Sequence, residues 1–356
     1  VNTLLLAPEL FAGEGGIMRI MRLYLKAVCE LAGCHDEVQL VSLNDGAIDP
    51  ALLQSCADKH LVRYEGCRHN KLRFVLSAFR SGLASDKIIC GHIGQLPVAW
   101  FISKLRPGIP YYLVAHGIEV WRPFSTLERW SLKGTKKVFC VSDYTRRQLL
   151  QNCCLKPDQT CVLENVLDPS LDPISLPGRA DSPPIILSIS RLTLSDNYKG
   201  IDHLIAAMPA VRAAVPGVRL RIVGQGDGLP KLQSLARDLN LGGAVEFTGY
   251  LNDTEIAKEL AHCRLFALPS QKEGFGLVYL EAMAHGRPCL GARAGGVPEV
   301  LTEETGVLVE YGDIPGIASA IIEALKRDWS VTALRERARA FSYPQFKDRL
   351  GKLLSQ

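Results

Sequence analysis

Val166-Leu167-Asp168-Pro169-Ser170-Leu171-Asp172-Pro173-Ile174-Ser175-Leu176-Pro177-Gly178-Arg179-Ala180-Asp181-Ser182-Pro183-Pro184 holds five prolines and no hydrophobic period. Proline lacks a backbone donor and pushes the residue before it towards extended geometry, so this stretch neither continues a helix nor sits inside a sheet. It reads as an interdomain linker over 169–183. On both sides of it, short apolar runs alternate with amphipathic ones. Strand candidates before the linker are 3–7, 38–43, 87–90, 111–115, 138–141 and 161–163, with helical segments such as 17–33, 94–105 and 143–152 between them. After it they are 184–189, 218–223, 244–247, 265–268, 288–291 and 306–309. Strands alternating with helices predict parallel sheets covered on both faces. The expected architecture is therefore α/β, with two doubly wound Rossmann-like domains, 1–168 and 184–342, facing each other across a cleft. A last helix at about 343–354, preceded by a break at Tyr343-Pro344, is expected to cross back to the first domain. Ligands of such sheets bind beyond the carboxyl ends of the strands.

Composition narrows the class. With 356 residues, 47% of them hydrophobic and 22% charged, the chain suits two folded domains and not a disordered segment. No apolar run approaches the ~18–20 residues of a membrane span, and the opening Val1–Pro8 reads as a buried strand rather than a leader. Eleven cysteines include no C-x-x-C pair and sit largely in apolar runs, which predicts buried free thiols in a reducing cytoplasm and no zinc site. Lys and Arg exceed Asp and Glu by 20 to 16 over residues 1–168 and balance at 21 to 21 over 169–356, too small an excess to argue for nucleic acid.

Four constellations carry chemistry. Ser270-Gln271-Lys272-Glu273-Gly274-Phe275-Gly276-Leu277-Val278-Tyr279-Leu280-Glu281 follows a strand ending near Pro269. Read as one helix start, it separates Glu273 and Glu281 by eight residues, a rise of about 12 Å, near the span from the sugar to the ribose of a nucleotide sugar. The glycines would let N–H groups meet phosphate at the positive helix end; an ordinary helix with an acidic N-terminus fits equally. Arg191 and Lys199 lie beyond strand 184–189, where a bidentate fork and a point charge suit a diphosphate and would neutralise a departing one without metal. A solvated basic loop is the alternative. Gly13-Glu14-Gly15-Gly16 follows the first strand, shaped for a ligand or simply for a turn. His116 ends strand 111–115, with His92 in a similar position after 87–90. Gly224 to Gly228, Thr248-Gly249-Tyr250-Leu251 and Gly295 to Glu299 are either backbone contacts to a ligand or plain turns.

Arg191 with Lys199-Gly200, Glu273-Gly274-Phe275-Gly276 with Glu281, the glycines at 13–16, Ala115-His116-Gly117, Val141-Ser142 and Gly295-Gly296-Val297-Pro298-Glu299 together resemble glycosyltransferase family 4 over nearly the whole chain. The resemblance implies the GT-B fold and metal-independent, retaining transfer of a hexose from a nucleotide diphosphate sugar, with no other cofactor. It implies that Arg191 and Lys199 bind the diphosphate, Glu273 the donor sugar and Glu281 the ribose. Phe275, Gly276 and Leu277 would offer backbone N–H groups, Gly15 and Gly16 would close over the diphosphate, and His116 would orient the sugar. Gly224, Tyr250 and Leu251 are further donor candidates. Asn165-Val166-Leu167-Asp168 departs from the family's usual Asn-Gly-Val-Asp. The stretch His116 to Trp121 is similar to bacterial members that build exopolysaccharide or lipid-linked oligosaccharide, which favours GDP-mannose over a UDP-sugar and a glycan or polyprenyl diphosphate-linked saccharide as acceptor. Residues 59–80, rich in Lys and Arg with Leu72, Phe74, Val75, Leu76 and Phe79 as an apolar face, suggest peripheral contact with an anionic membrane on its cytoplasmic side; a solvated basic helix is the alternative. Rival functions on this architecture are a nucleotide-sugar epimerase and a non-catalytic nucleotide-sugar binder.

Overall fold

The computed structural model describes residues 1–13, 15–153, 155–171 and 183–355. Most of the expected linker, 172–182, lies outside the described residues, as do Glu14 of the glycine loop and Cys154. The chain forms two compact units: Val1–Asp168 with Tyr343–Gln356, and Pro169–Ser342.

In the first unit the chain runs β1 (Thr3–Ala7), α1 (Gly16–Leu31), β2 (Val38–Ser42), α2 (Pro50–Gln54), β3 (Leu61–Gly66), α3 (Lys71–Leu83), β4 (Lys87–Cys90), α4 (Leu96–Leu105), β5 (Tyr111–Ala115), α5 (Thr126–Lys133), β6 (Lys137–Cys140), α6 (Asp143–Asn152) and β7 (Thr160–Val162). The seven strands pair in the order β3-β2-β1-β4-β5-β6-β7, and every pairing is parallel. Parallel strands covered on both faces read as continuous apolar runs, and Leu4, Leu5 and Leu6 are all fully buried.

The second unit runs β8 (Ile185–Ile189), α7 (Ile201–Ala214), β9 (Arg219–Val223), α8 (Leu229–Asp238), β10 (Val245–Gly249), α9 (Asp253–His262), β11 (Leu265–Leu268), α10 (Leu277–Ala284), β12 (Cys289–Ala292), α11 (Val297–Val300), β13 (Gly306–Val309), α12 (Ile314–Lys326) and α13 (Val331–Arg339). Its strand order is β10-β9-β8-β11-β12-β13, again all parallel. The final helix, α14 (Tyr343–Leu354), belongs to the first unit, where the Phe346 ring meets Tyr24 edge-on at 5.0 Å.

The two parallel sheets match the architecture expected of each half, with two corrections. β3 was not expected: Arg63 and Glu65 alternate with Val62 and Tyr64, a period-2 pattern on an edge strand that resembles a basic helix when only charge is counted. The helix begins only at Lys71, capped by the Asn70 side chain. Its expected apolar face is also split. Phe74 is buried and Val75 and Phe79 pack on the core, while Leu72 and Leu76 point outward.

Among the described residues no helix is long and apolar enough to cross a membrane. Their ten cysteines are all free; seven are buried, Cys34 is exposed, and Cys153 and Cys161 are partly buried.

Candidate active site

In the second unit the strand order reverses between β8 and β11, the place where open parallel sheets bind ligands. The loop leaving β8 is fixed from its neighbour. Ser190 N–H donates to Val223 C=O, Leu192 N–H to Gln225 C=O, Gly228 N–H to Leu192 C=O and Leu194 N–H to the Asp227 carboxylate. Gly224, at φ +141°, lies so close that a Cβ would stand 1.8 Å from Ser190 O, so only glycine fits. Gly224 therefore buttresses the loop that carries Arg191.

Arg191 extends from this loop with 71% of its side chain exposed, and its Nη2 lies 3.2 Å from Asp196 Oδ2. Asp196 is buried and also accepts from Thr193 Oγ1 at 2.9 Å and the Tyr198 hydroxyl at 2.8 Å. Burial, then the bond to Asp196, pushes the Tyr198 phenol above its ordinary range, so it remains a donor. An exposed ion pair adds little stability; its effect here is to set where the guanidinium stands.

Lys199 Nζ lies 2.7 Å from Glu273 Oε2, and each side chain is only 18% exposed. This pair joins the loop after β8 to the loop after β11. Gly200 turns the chain into α7 at φ +72°, where a Cβ would meet Pro269 O at 2.5 Å. Gln271 N–H donates to Tyr198 C=O at 2.8 Å. Gly295, at φ +60°, brings the chain against Glu273, whose carbonyl accepts the Gly296 N–H at 2.8 Å. The Gly295-Gly296 turn is thus a clasp on the Glu273 backbone. Lys272 and Lys199 both place their ammonium groups 5.6 Å from the Tyr198 ring centroid, a cation–π distance.

The stretch after Glu273 differs from the expected helix. Gly276 is the N-cap of α10 at φ +98°, and the helix begins at Leu277. Glu273 therefore lies in the loop before the helix and Glu281 on its second turn, so an eight-residue helical rise does not separate the two acids. Phe275 is buried, edge-on against Phe341 at 5.3 Å, which leaves only its backbone to face a ligand. Among the described residues no acceptor meets the N–H groups of Phe275, Gly276 or Leu277, the groups that a helix N-terminus offers to an anion. Tyr250, beyond β10, is half exposed and Leu251 partly buried.

In the first unit, the loop between β1 and α1 is held by a residue that sequence reading missed. Buried Asp45 accepts the N–H groups of Leu10 at 2.8 Å, Phe11 at 2.9 Å and Ala12 at 2.6 Å, and the Ser42 hydroxyl at 2.6 Å. Its signal is the pair Ser42 and Asp45 just past a buried strand, where Asp45 N–H also bonds Ser42 Oγ at 3.2 Å. Gly15 caps α1 in extended geometry and Gly16 begins the helix. His116 is buried at the end of β5. Its Nε2 lies 2.9 Å from Gly91 C=O, an acceptor, so Nε2 carries the proton. Burial, against the opposing charge of Glu119, lowers its pKa and keeps the ring neutral. His92 instead accepts Gly94 N–H at Nδ1 and caps a short turn. Among the described residues no three His, Cys, Asp or Glu side chains gather where they would hold a metal.

A family model described as "Glycosyl transferases group 1" matches residues 177–341, and one described as "Glycosyltransferase Family 4" matches 31–171. Both halves of the chain match glycosyltransferase family models. The chain is 36% identical over 180 residues to the N-acetyl-alpha-D-glucosaminyl L-malate synthase of Bacillus anthracis, covering 50% of this chain and 45% of that one. It is 39% identical over 155 residues to a GDP-mannose-dependent monoacylated alpha-(1-6)-phosphatidylinositol monomannoside mannosyltransferase of Corynebacterium glutamicum, covering 42% and 39%. The match thus spans less than half the length of either relative. Anabaena HepE, solved with UDP and glucose, superposes with a TM-score of 0.78 over 99% of each chain at 21% identity, and the fold is GT-B. Arg191 and Lys199 lie on the loop after β8, and Lys199 meets Glu273 from the loop after β11, with Asp196, Tyr198 and Lys272 as neighbours that the sequence did not mark.

Two outcomes test the first unit. Asp45→Asn keeps the size but turns an NH2 toward N–H donors; it should lower stability by about 3 kcal/mol in denaturant unfolding followed by tryptophan fluorescence. His116 has a lowered folded pKa, so its contribution is fully present above an unfolded value of about 6.5 and is lost as pH falls through that value towards the folded one. Melting temperature should therefore fall on acidification, and His116→Gln, which still donates to Gly91, should make that slope shallower. An unchanged slope contradicts the neutral assignment.

Proposed function

We propose that this chain transfers a hexose from a nucleoside diphosphate sugar to a saccharide acceptor, with retention at the anomeric carbon and without metal. The observation that carries the reading is the Lys199–Glu273 pair, with Arg191 held by Asp196 on the same loop as Lys199, where the second sheet's strand order reverses. Arg191 and Lys199 would take the diphosphate and neutralise the charge that grows on it as the C1–O bond breaks. Glu273 uses Oε2 for Lys199, leaving Oε1 to accept from a sugar hydroxyl, while Glu281 takes the ribose. The N–H groups at Phe275, Gly276 and Leu277 would face phosphate and sugar, and Gly224, Tyr250 and Leu251 would border the nucleotide. In the first unit Gly15, Gly16 and His116 would contact ligand at that sheet's own carboxyl edge.

The acceptor oxygen attacks C1 on the face from which the phosphate leaves, and its proton passes to a phosphate oxygen of the departing nucleoside diphosphate. No enzymic nucleophile is needed; Glu273 is already tied to Lys199.

The mannosyltransferase relatives, though matched over less than half their length, favour GDP-mannose as donor. Their lipid-borne acceptors, taken with the sequence resemblance, favour a glycan or polyprenyl diphosphate-linked saccharide as acceptor, polysaccharide assembly as the setting, and a cytoplasmic place beside the membrane.

Nucleoside diphosphate release from GDP-mannose and UDP-sugars, with and without acceptor, tests the reading. Release should require acceptor and survive EDTA. Arg191→Ala or Lys199→Ala should cut turnover by on the order of 10²-fold. Undiminished turnover in both variants contradicts the role given to the cations, and conversion of donor without acceptor would point to an epimerase.

A further inference from the structure

The first unit carries an apolar, basic surface on the layer made by α3, α4 and α5. The crossovers β3 to β4, β4 to β5 and β5 to β6 all run the same way across the sheet, so right-handed connections put these three helices on one face. They pack side by side, with Gly82 of α3 close enough to Ile102 of α4 that a Cβ would meet it at 2.7 Å.

Seven of the sixteen exposed large apolar side chains among the described residues lie on these helices. Leu72 and Leu76 stand one turn apart on α3, 70% and 63% exposed. Phe101 and Leu105 do the same on α4, and Leu127 and Trp130 on α5. The Trp100 ring joins the last two helices, 6.2 Å from Trp130 and 4.8 Å from Phe101, with Lys104 Nζ 5.5 Å from its centroid.

Apart from Glu128, which pairs with Arg122, the charges between these side chains have one sign. Lys71, Arg80, Lys104 and Lys133 are exposed, and neither α3 nor α4 contains a single Asp or Glu. Nearby carboxylates already have partners: Glu65 with Arg63 and Arg73, Asp86 with Arg106, and Glu128 with Arg122. The Arg122 hydrogen bond, against partial burial, holds the Glu128 pKa down to about 2, so that acid stays charged and committed to Arg122.

We propose that this face docks on an anionic lipid bilayer, its Trp, Phe and Leu side chains entering the headgroup region and its Lys and Arg meeting lipid phosphates. Aromatic rings at headgroup depth beside cations are the chemistry of membrane interfaces. Charge complementarity selects lipid over a second copy of the chain. A two-fold contact through this face sets the same patch against itself, with lysine and arginine on both sides and no free carboxylate to balance them. The surface is centred on α4 and α5 as much as on α3, so the basic stretch 59–80 marks only its edge.

The test uses the full chain and sedimentation with phosphatidylcholine vesicles, with and without phosphatidylglycerol. It contains no donor or acceptor, so it reads docking apart from the transfer reaction. The wild type should partition onto vesicles containing phosphatidylglycerol and little onto phosphatidylcholine alone. Lys104→Gln with Lys133→Gln should weaken partitioning by at least about tenfold. Phe101→Ser with Trp130→Ser should weaken it as well, as should Leu72→Gln with Leu76→Gln on the neighbouring helix. Melting temperatures equal to wild type confirm that each variant folds, and the three pairs on separate residues guard against one failing to do so. The proposal is overturned by absent binding to the anionic vesicles, by equal binding to both kinds, by folded variants that bind like wild type, or by a wild-type dimer that the patch variants turn into monomer.

Discussion

The Lys199–Glu273 pair is the constraint around which the second unit's site is arranged. It spans 74 residues of sequence at 2.7 Å and joins the loops that leave β8 and β11. A partly buried pair gains little net stability, because both ions lose water. Its persistence is better explained by position. The acid holds an ammonium at the one edge of the sheet where an anionic ligand is expected, and the ammonium keeps a carboxylate beside it for hydroxyls. The backbone around the pair is equally constrained. Gly200, Gly224 and Gly295 each stand where a Cβ would strike a carbonyl oxygen, at Pro269, Ser190 and Glu273 respectively. These glycines let the four loops after β8, β9, β11 and β12 approach closely enough for Lys199 and Glu273 to meet.

Asp196 and Asp45 show the same economy in the two units. Each is a buried acid that touches no expected ligand, yet each fixes a loop at a carboxyl edge: one through Arg191 and two hydroxyls, the other through three backbone N–H groups and Ser42. Removing Asp45 would leave buried backbone donors without an acceptor, and removing Asp196 would leave the half-buried Tyr198 hydroxyl without one, which costs more than the bonds themselves are worth. The candidate site therefore depends on residues that do no chemistry.

Much of this was legible in the sequence. The buried parallel strands are continuous apolar runs, so their places could be read to within about two residues, a usual margin for element ends; α14 behind Tyr343-Pro344 was equally clear. β3 escaped because an edge strand carries charge, and Arg63 and Glu65 disguise its alternation. The start of α10 escaped because a left-handed glycine at 276 delays the helix, which composition does not reveal. Arg191, Lys199 and Glu273 were legible as charges at strand ends. Asp45, Asp196 and Lys272 were not, since an acid serving backbone donors or a lysine over a tyrosine ring looks like any surface charge until the loops are placed. Phe74 shows the reverse error, a core residue assigned to a surface face.

The central claim is that cations beyond β8 recognise a diphosphate. Calorimetric titration of a nucleoside diphosphate beside its monophosphate tests it most directly, because the two ligands differ only in the group that Arg191 and Lys199 are assigned to hold. Two charge-assisted contacts should make the diphosphate bind on the order of 10²-fold more tightly, and the advantage should vanish in the chain carrying Arg191→Ala with Lys199→Ala. Equal affinity for the two ligands, or an advantage that survives in the double variant, would contradict the account.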